Sequence, residues 1–411
     1  MKIKNLFVGL LTLGTVFSLI FQTPVQAAEA ASGITTNSIS GWPQGNDITS
    51  TAAVVMEEST DTVIYAKNMD QQLFPGSTVK VMTTLLALEN SQLTDQVTMT
   101  ATGVSGVTDG GANISAQLDE VFSMEQCLYA IMLASANDIA LQVAEHLGGS
   151  VDGFVQMMNA KAAELGCTNT VFTNPTGLPD ENQHTTAHDM TLIMQAAMEN
   201  ETFRTISGTL SYMITATNVS GGERVLTNKF AMINAADPAY YQFCIGGREG
   251  YTEASGSTLV CGAEKNGVTL IAVVLQGASG TTAAEAGALL NYGFDNFQML
   301  SLGDTDFNMI SGGNVYVPVG ASIDSLTTKD GSMENGQYTR QYFFGESPVG
   351  TSVMAAVQEQ DTTLIDESQK NLQAAQDFSQ AHTEIPYYLI AGGGALVLLF
   401  LIFMIVKIAK S

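Results

Sequence analysis

Two short runs rich in β-branched residues, 52–56 and 62–66, flank a polar stretch at 57–61 and predict a β-hairpin. Beyond it the apolar positions recur every three or four residues through 79–89, 124–133, 139–147, 151–165 and 190–198, the spacing of helices that bury one face. Strand-like runs return at 242–250, 257–262 and 268–276, and helical spacing resumes across 282–297. Strands, a block of helices and strands again predict an α+β domain over 41–298, with an antiparallel sheet drawn from both ends of the segment.

From about Leu300 the texture changes to short β-rich runs at 315–317, 323–326 and 342–344 among Gly and Pro breakers, which predicts a small all-β domain over 299–360. Residues 361–386 are mostly polar and read as a stalk. The run 387–406 carries no charge and is long enough for one transmembrane helix, with Lys407 and Lys410 in a 407–411 cytoplasmic tail. At the other end, Lys2 and Lys4 precede an apolar run over 6–21 and the small-residue pattern Val25-Gln26-Ala27, so 1–27 reads as a signal peptide and 28–40 as a leader. The expected location is therefore the cell membrane, single-pass, with the catalytic domain outside the cytoplasm.

Composition narrows the function. Lys and Arg number 15 against 40 Asp and Glu, a net charge of −25, and such a field repels phosphate backbones; no nucleic-acid partner is expected. Four cysteines remain in a chain read as extracytoplasmic. With a turn centred at Thr252 and Glu253, Cys244 and Cys261 face each other across a hairpin, which leaves two readings: a cross-strand disulfide or two buried free thiols.

The most informative local feature is Pro75-Gly76-Ser77-Thr78-Val79-Lys80 at the start of an apolar helix. A hydroxyl there feels the positive end of the helix dipole. Lys80 lies about one turn on, among apolar neighbours that would pull its pKa down and make it a base for Ser77. The same residues also read as a serine cap followed by a lysine snorkelling to water. Ser135-Ala136-Asn137 falls between two helical runs, where a hydroxyl and an amide would point into a cleft. Arg248-Glu249-Gly250-Tyr251-Thr252 offers a strand with a cation and backbone N–H groups. His184 and His188 lack the glutamate of a zinc H-E-x-x-H motif, and neither metal nor cofactor is expected.

In that order, S-x-x-K, Ser-x-Asn and a basic residue on a glycine-containing strand resemble the triple signature of penicillin-binding proteins and serine β-lactamases. The stretch 169–180, the His184-to-Met190 segment and the Trp42-Pro43 entry are similar to the low-molecular-mass D-alanyl-D-alanine carboxypeptidases. The resemblance implies a β-lactamase/transpeptidase-like fold and a serine-type D-alanyl-D-alanine carboxypeptidase acting on peptidoglycan stem peptides through an acyl-enzyme, with β-lactams as covalent inhibitors. Residue by residue it implies Ser77 as nucleophile, Lys80 as base and Ser135 as proton relay. Asn137, Arg248, Glu249, Gly250 and Tyr251 would bind substrate, and the backbone N–H groups of Ser77 and Tyr251 would form an oxyanion hole.

The chain departs from the family at one place. Where the family carries Lys-Thr-Gly it has Arg248-Glu249-Gly250. A carboxylate replaces a hydroxyl that would help hold the substrate's terminal carboxylate, and an ionised Glu accepts hydrogen bonds without donating any. The alternative expectation is thus a catalytically impaired or endopeptidase-type homologue.

Overall fold

The β-branched runs form strands because each can bury both faces of its pleat. Within Ala52–Glu57, Val54 and Met56 point into one core while Ala53 and Val55 point into another, and every residue of the strand is buried. The computed structural model describes residues 33–107, 111–303 and 308–355, with the isolated positions 370, 373 and 397. In its five-stranded antiparallel sheet the order is Thr62–Lys67, Ala52–Glu57, Val268–Gly277, Gly256–Lys265, Cys244–Thr252. Ala52 pairs with Leu275, so the sheet joins both ends of the segment, as the order of elements predicts.

One face of the sheet carries the helical cluster. Helices Val79–Asn90, Met124–Ala134, Asn137–Gly148, Val151–Glu164 and Ala187–Met198 enclose a core with Val273 and Leu275. The opposite face carries helix Thr282–Asn296 through Leu289 and Leu290 against Leu270 and Val274. Each such leucine contributes roughly 1.5–3 kcal/mol by leaving water. Phe297, Val315 and Tyr316 extend this second core into the β-rich C-terminal part. Phe297–Ser301 pairs there with Asn314–Pro318, and a separate four-stranded sheet runs in the order Met309–Gly312, Ser347–Ala355, Gln337–Phe344, Thr327–Asp330. Trp42 bridges the two parts: its indole N–H donates to the Ile64 carbonyl (2.9 Å) and its ring meets Phe297 edge-on at 5.0 Å.

Several expectations change. Residues 323–326 are not a strand but a 3₁₀ turn, Ile323–Ser325, because Ser325 donates from both its N–H (3.0 Å) and its hydroxyl (2.6 Å) to the Ser322 carbonyl. The pattern also passed over helix Glu201–Gly208 and the hairpin Ser211–Ile214 with Arg224–Thr227. No sulfur–sulfur bond joins the four cysteines in the structure, in keeping with the second of the two readings above. The turn is longer than the symmetric reading supposed, pairing Thr252 with Gly256, and a bulge between Cys244 and Gly246 puts Cys244 opposite Ala263 and Cys261 opposite Gly247. Cys244 and Cys261 are therefore not directly opposed, although the Cys244 thiol still raises the pKa of Cys261. Among the described residues no helix is long and apolar enough to cross a membrane; the segments 1–27 and 387–406 lie outside them, apart from position 397.

Candidate active site

Pro75 starts a single 3₁₀ turn, Gly76–Thr78, that runs directly into helix Val79–Asn90 and sets Ser77 half-buried at its mouth. The backbone of the neighbouring elements closes in only because two positions lack a side chain. A Cβ on Gly177, which has φ +79°, would lie 1.9 Å from the Gly76 carbonyl oxygen; one on Gly250 would lie 2.6 Å from the Ser77 nitrogen. Gly250 thus brings the edge strand Cys244–Thr252 against the Ser77 backbone.

Lys80 is fully buried, which excludes the snorkelling alternative. Its amine donates to Asn137 Oδ1 (2.7 Å) and to the Thr176 carbonyl. Burial, reinforced by the Arg248 charge, holds its pKa well below that of a free lysine. With two of its N–H bonds engaged, loss of the third proton would leave the amine a lone pair able to accept one.

Thr176 is the partner the sequence reading missed. Its carbonyl is aimed by Asn174, whose Oδ1 accepts from the Thr176 N–H (3.2 Å), the Thr176 hydroxyl (2.8 Å) and the Gly177 N–H (2.8 Å). The only signal for this was the turn-forming string Asn174-Pro175-Thr176-Gly177.

Ser135 caps helix Met124–Ala134 in the left-handed region (φ 61°, ψ 31°), and this turn presents its hydroxyl to Ser77, Oγ to Oγ 3.4 Å. A non-glycine residue there costs energy and persists where its surroundings hold it. Asn137 opens the next helix, and its N–H donates to the Ala112 carbonyl (2.8 Å). Asp138 fixes the same wall, accepting from the N–H groups of Ile114 and Ala116 (3.2 Å each); burial raises its pKa.

On the strand side, Arg248 is 4% exposed and donates from Nη1 to the Met132 carbonyl (2.5 Å), while its buried Nε–H has no partner. Burial pulls its pKa down to about 10, opposed by Glu249. Among the described residues no hydrogen bond or ion pair reaches the Glu249 carboxylate. Burial raises its pKa, Arg248 lowers it and Asp237 raises it. Tyr251 is 63% exposed.

Ser77, Ser135, Asn137 and 248–251 line one cavity of about 680 Å³, and Lys80 is hydrogen-bonded to two of its lining residues, Asn137 and Thr176; Lys229 and Asp237, which the sequence reading also passed over, stand in its wall. His184 accompanies Val171 in a bridge and His188 sits in helix Ala187–Met198, so the pair is not brought to this cavity.

A hydroxyl, a buried amine and a second hydroxyl beside the open edge of an antiparallel sheet form the architecture of penicillin-recognising serine hydrolases. The family model for D-alanyl-D-alanine carboxypeptidase matches residues 39–279, and the chain belongs to that family, peptidase S11. It is 31% identical over 254 residues to D-alanyl-D-alanine carboxypeptidase DacF of Bacillus subtilis, a match covering 60% of this chain and 62% of the relative. It is 32% identical over 250 residues to D-alanyl-D-alanine carboxypeptidase DacB2 of Mycobacterium tuberculosis, covering 59% and 81%. Among solved structures, a D-alanyl-D-alanine carboxypeptidase from Mycobacterium tuberculosis superposes with a TM-score of 0.57 at 28% identity, over 62% of this chain and 95% of that one.

Proposed function

We propose that this protein is a membrane-anchored, extracytoplasmic serine D-alanyl-D-alanine carboxypeptidase that removes the terminal D-alanine of peptidoglycan stem peptides. The observation that carries the reading is the fully buried Lys80 amine, held by two acceptors one helical turn from Ser77, where burial favours its neutral form. Ser77 Oγ attacks the carbonyl between the two D-alanines and its proton passes to Lys80 Nζ. The oxyanion is met by the N–H groups of Ser77 and Tyr251, donors whose loss costs about 10²–10³ in rate. As the C–N bond breaks, Ser135 hands a proton to the leaving amine and is reprotonated from Lys80. Water then cleaves the ester and restores Ser77. Asn137 holds both the amine and the substrate amide.

The apolar segments at 6–21 and 387–406 support export and anchoring. β-Lactams would acylate the same serine. Incubation with a labelled penicillin followed by intact-mass measurement tests the reading. One adduct per chain, absent in Ser77→Ala, is expected, and an unmodified wild-type chain after prolonged exposure would overturn it.

A further inference from the structure

Glu249 is one residue from the edge-strand glycine that approaches the Ser77 backbone, and among the described residues no hydrogen bond or ion pair reaches its carboxylate. The Arg248 guanidinium is the one fully buried cation beside it, and the two charges offset each other. Lys229 and Asp237 in the wall are of opposite sign, and Lys229 is exposed and screened by water. The cavity around Glu249 thus has no surplus positive charge with which to receive an anion.

Two observations fix which half of the substrate meets it. Ser135, the proposed donor to the leaving amine, lies against Ser77 at 3.4 Å at the end of the helix to which Arg248 is tied through Met132. The leaving residue therefore extends toward the Arg248 and Glu249 end of the strand, while the oxyanion sits at Tyr251. A carboxylate on that leaving residue meets a second carboxylate in a half-buried setting, which costs either repulsion or the uptake of a proton. An N–H on the same carbon skeleton meets an acceptor with a free lone pair.

We propose that Glu249 makes this enzyme prefer D-alanyl-D-alanine-type bonds whose leaving residue carries a neutral N–H donor in place of the free carboxylate. The inference rests on the serine-peptidase reading and narrows it: peptides ending in a free D-alanine remain substrates, and capped ones are cleaved faster. Two sources share that chemistry: a C-terminal carboxamide and an onward peptide bond, the latter making the cleavage internal. Bond making and breaking are unchanged. Ser77 still forms the ester, the C–N bond still breaks, and only the capped residue that departs with the proton differs.

The test compares kcat/KM for three peptides sharing one acyl half: the D-Ala-D-Ala acid, its carboxamide, and the same peptide extended by glycinamide. For the full chain we expect the carboxamide or the extended peptide to exceed the acid about ten-fold or more, a half-exposed share of the several kcal/mol that like charges cost when brought together. In Glu249→Thr and in Glu249→Gln that ratio should fall about ten-fold, since both side chains donate to a carboxylate; labelled-penicillin acylation shows in each variant that the site is assembled. Faster cleavage of the carboxamide alone assigns the terminal amide, and faster cleavage of both assigns the internal bond. Preference for the acid in the wild type, or a ratio that neither substitution moves, overturns the inference and leaves the peptidase reading standing. Failure to cleave any of the three, with no penicillin adduct on Ser77, overturns both.

Discussion

Two buried basic side chains flank the same cleft and are treated in opposite ways. Lys80 is enclosed, its amine donating to two acceptors that separate elements carry into place, and burial holds its pKa well below that of a free lysine. Arg248 is enclosed too, but stays charged, has one carbonyl on Nη1 and keeps a buried Nε–H without a partner. Burying an ammonium is costly enough that the group gives up its proton, whereas a guanidinium does not do so near neutral pH and needs a counter-charge instead. Here the counter-charge is Glu249. On the proposed mechanism the lysine side of the cleft moves a proton, and on the inference above the strand side sorts charge.

That contrast breaks most visibly at Lys80. Lys80→Ala should slow penicillin acylation by about 10²–10⁴-fold, the usual worth of a positioned base, with the fold intact by circular dichroism. Gly250→Ala attacks the meeting of the two sides. Its methyl would lie 2.6 Å from the Ser77 nitrogen, and the displacement should cost about 10² in acylation rate. Asn174→Ala removes the acceptor that aims the Thr176 carbonyl; about a ten-fold slower acylation and a loss of about 1–3 kcal/mol in urea unfolding are expected. The smallest effect is a shift along the pH axis. Acylation should fall on the acid side as Lys80 gains a proton, because only the neutral amine accepts one. Arg248→Met removes a charge that opposes that proton, so Lys80 should stay protonated to higher pH and the acid limb should move upward. A limb that does not move would show that the two cations are independent.

Much of this was legible in the chain. The α+β order of elements and the sheet closed from both ends follow from spacing; the grouping of Ser77, Lys80, Ser135 and Asn137 follows from the family resemblance that their motif order carries. What escaped was set by contacts remote in sequence. Thr176 acts through its backbone, and a carbonyl oxygen leaves no residue-type signature. Arg224 reaches the fully buried Glu120 at 2.8 Å, helping to hold a hairpin whose own pattern was too short and too exposed to register as strands. The Cys244 and Cys261 register failed for a similar reason: three turn residues and a bulge, neither visible in apolar spacing, displaced the pairing. Lys229 and Asp237 reach the cavity only because the chain between Thr227 and Cys244 passes along the open edge of the sheet.

The pairing of Ala52–Glu57 with Val268–Gly277 also dictates an order of events. The second strand of the sheet to be synthesised can zip onto the first as a local hairpin, yet the innermost seam waits for the last strand to emerge. Until then the helical cluster lacks the central strand of its floor. Closing so distant a pairing is slow, because loop entropy must be met before the contacts form. A chain that stops short of Val268–Gly277 lacks the strand that joins the two ends of the sheet, so the proposed reactivity is expected only once that seam has closed.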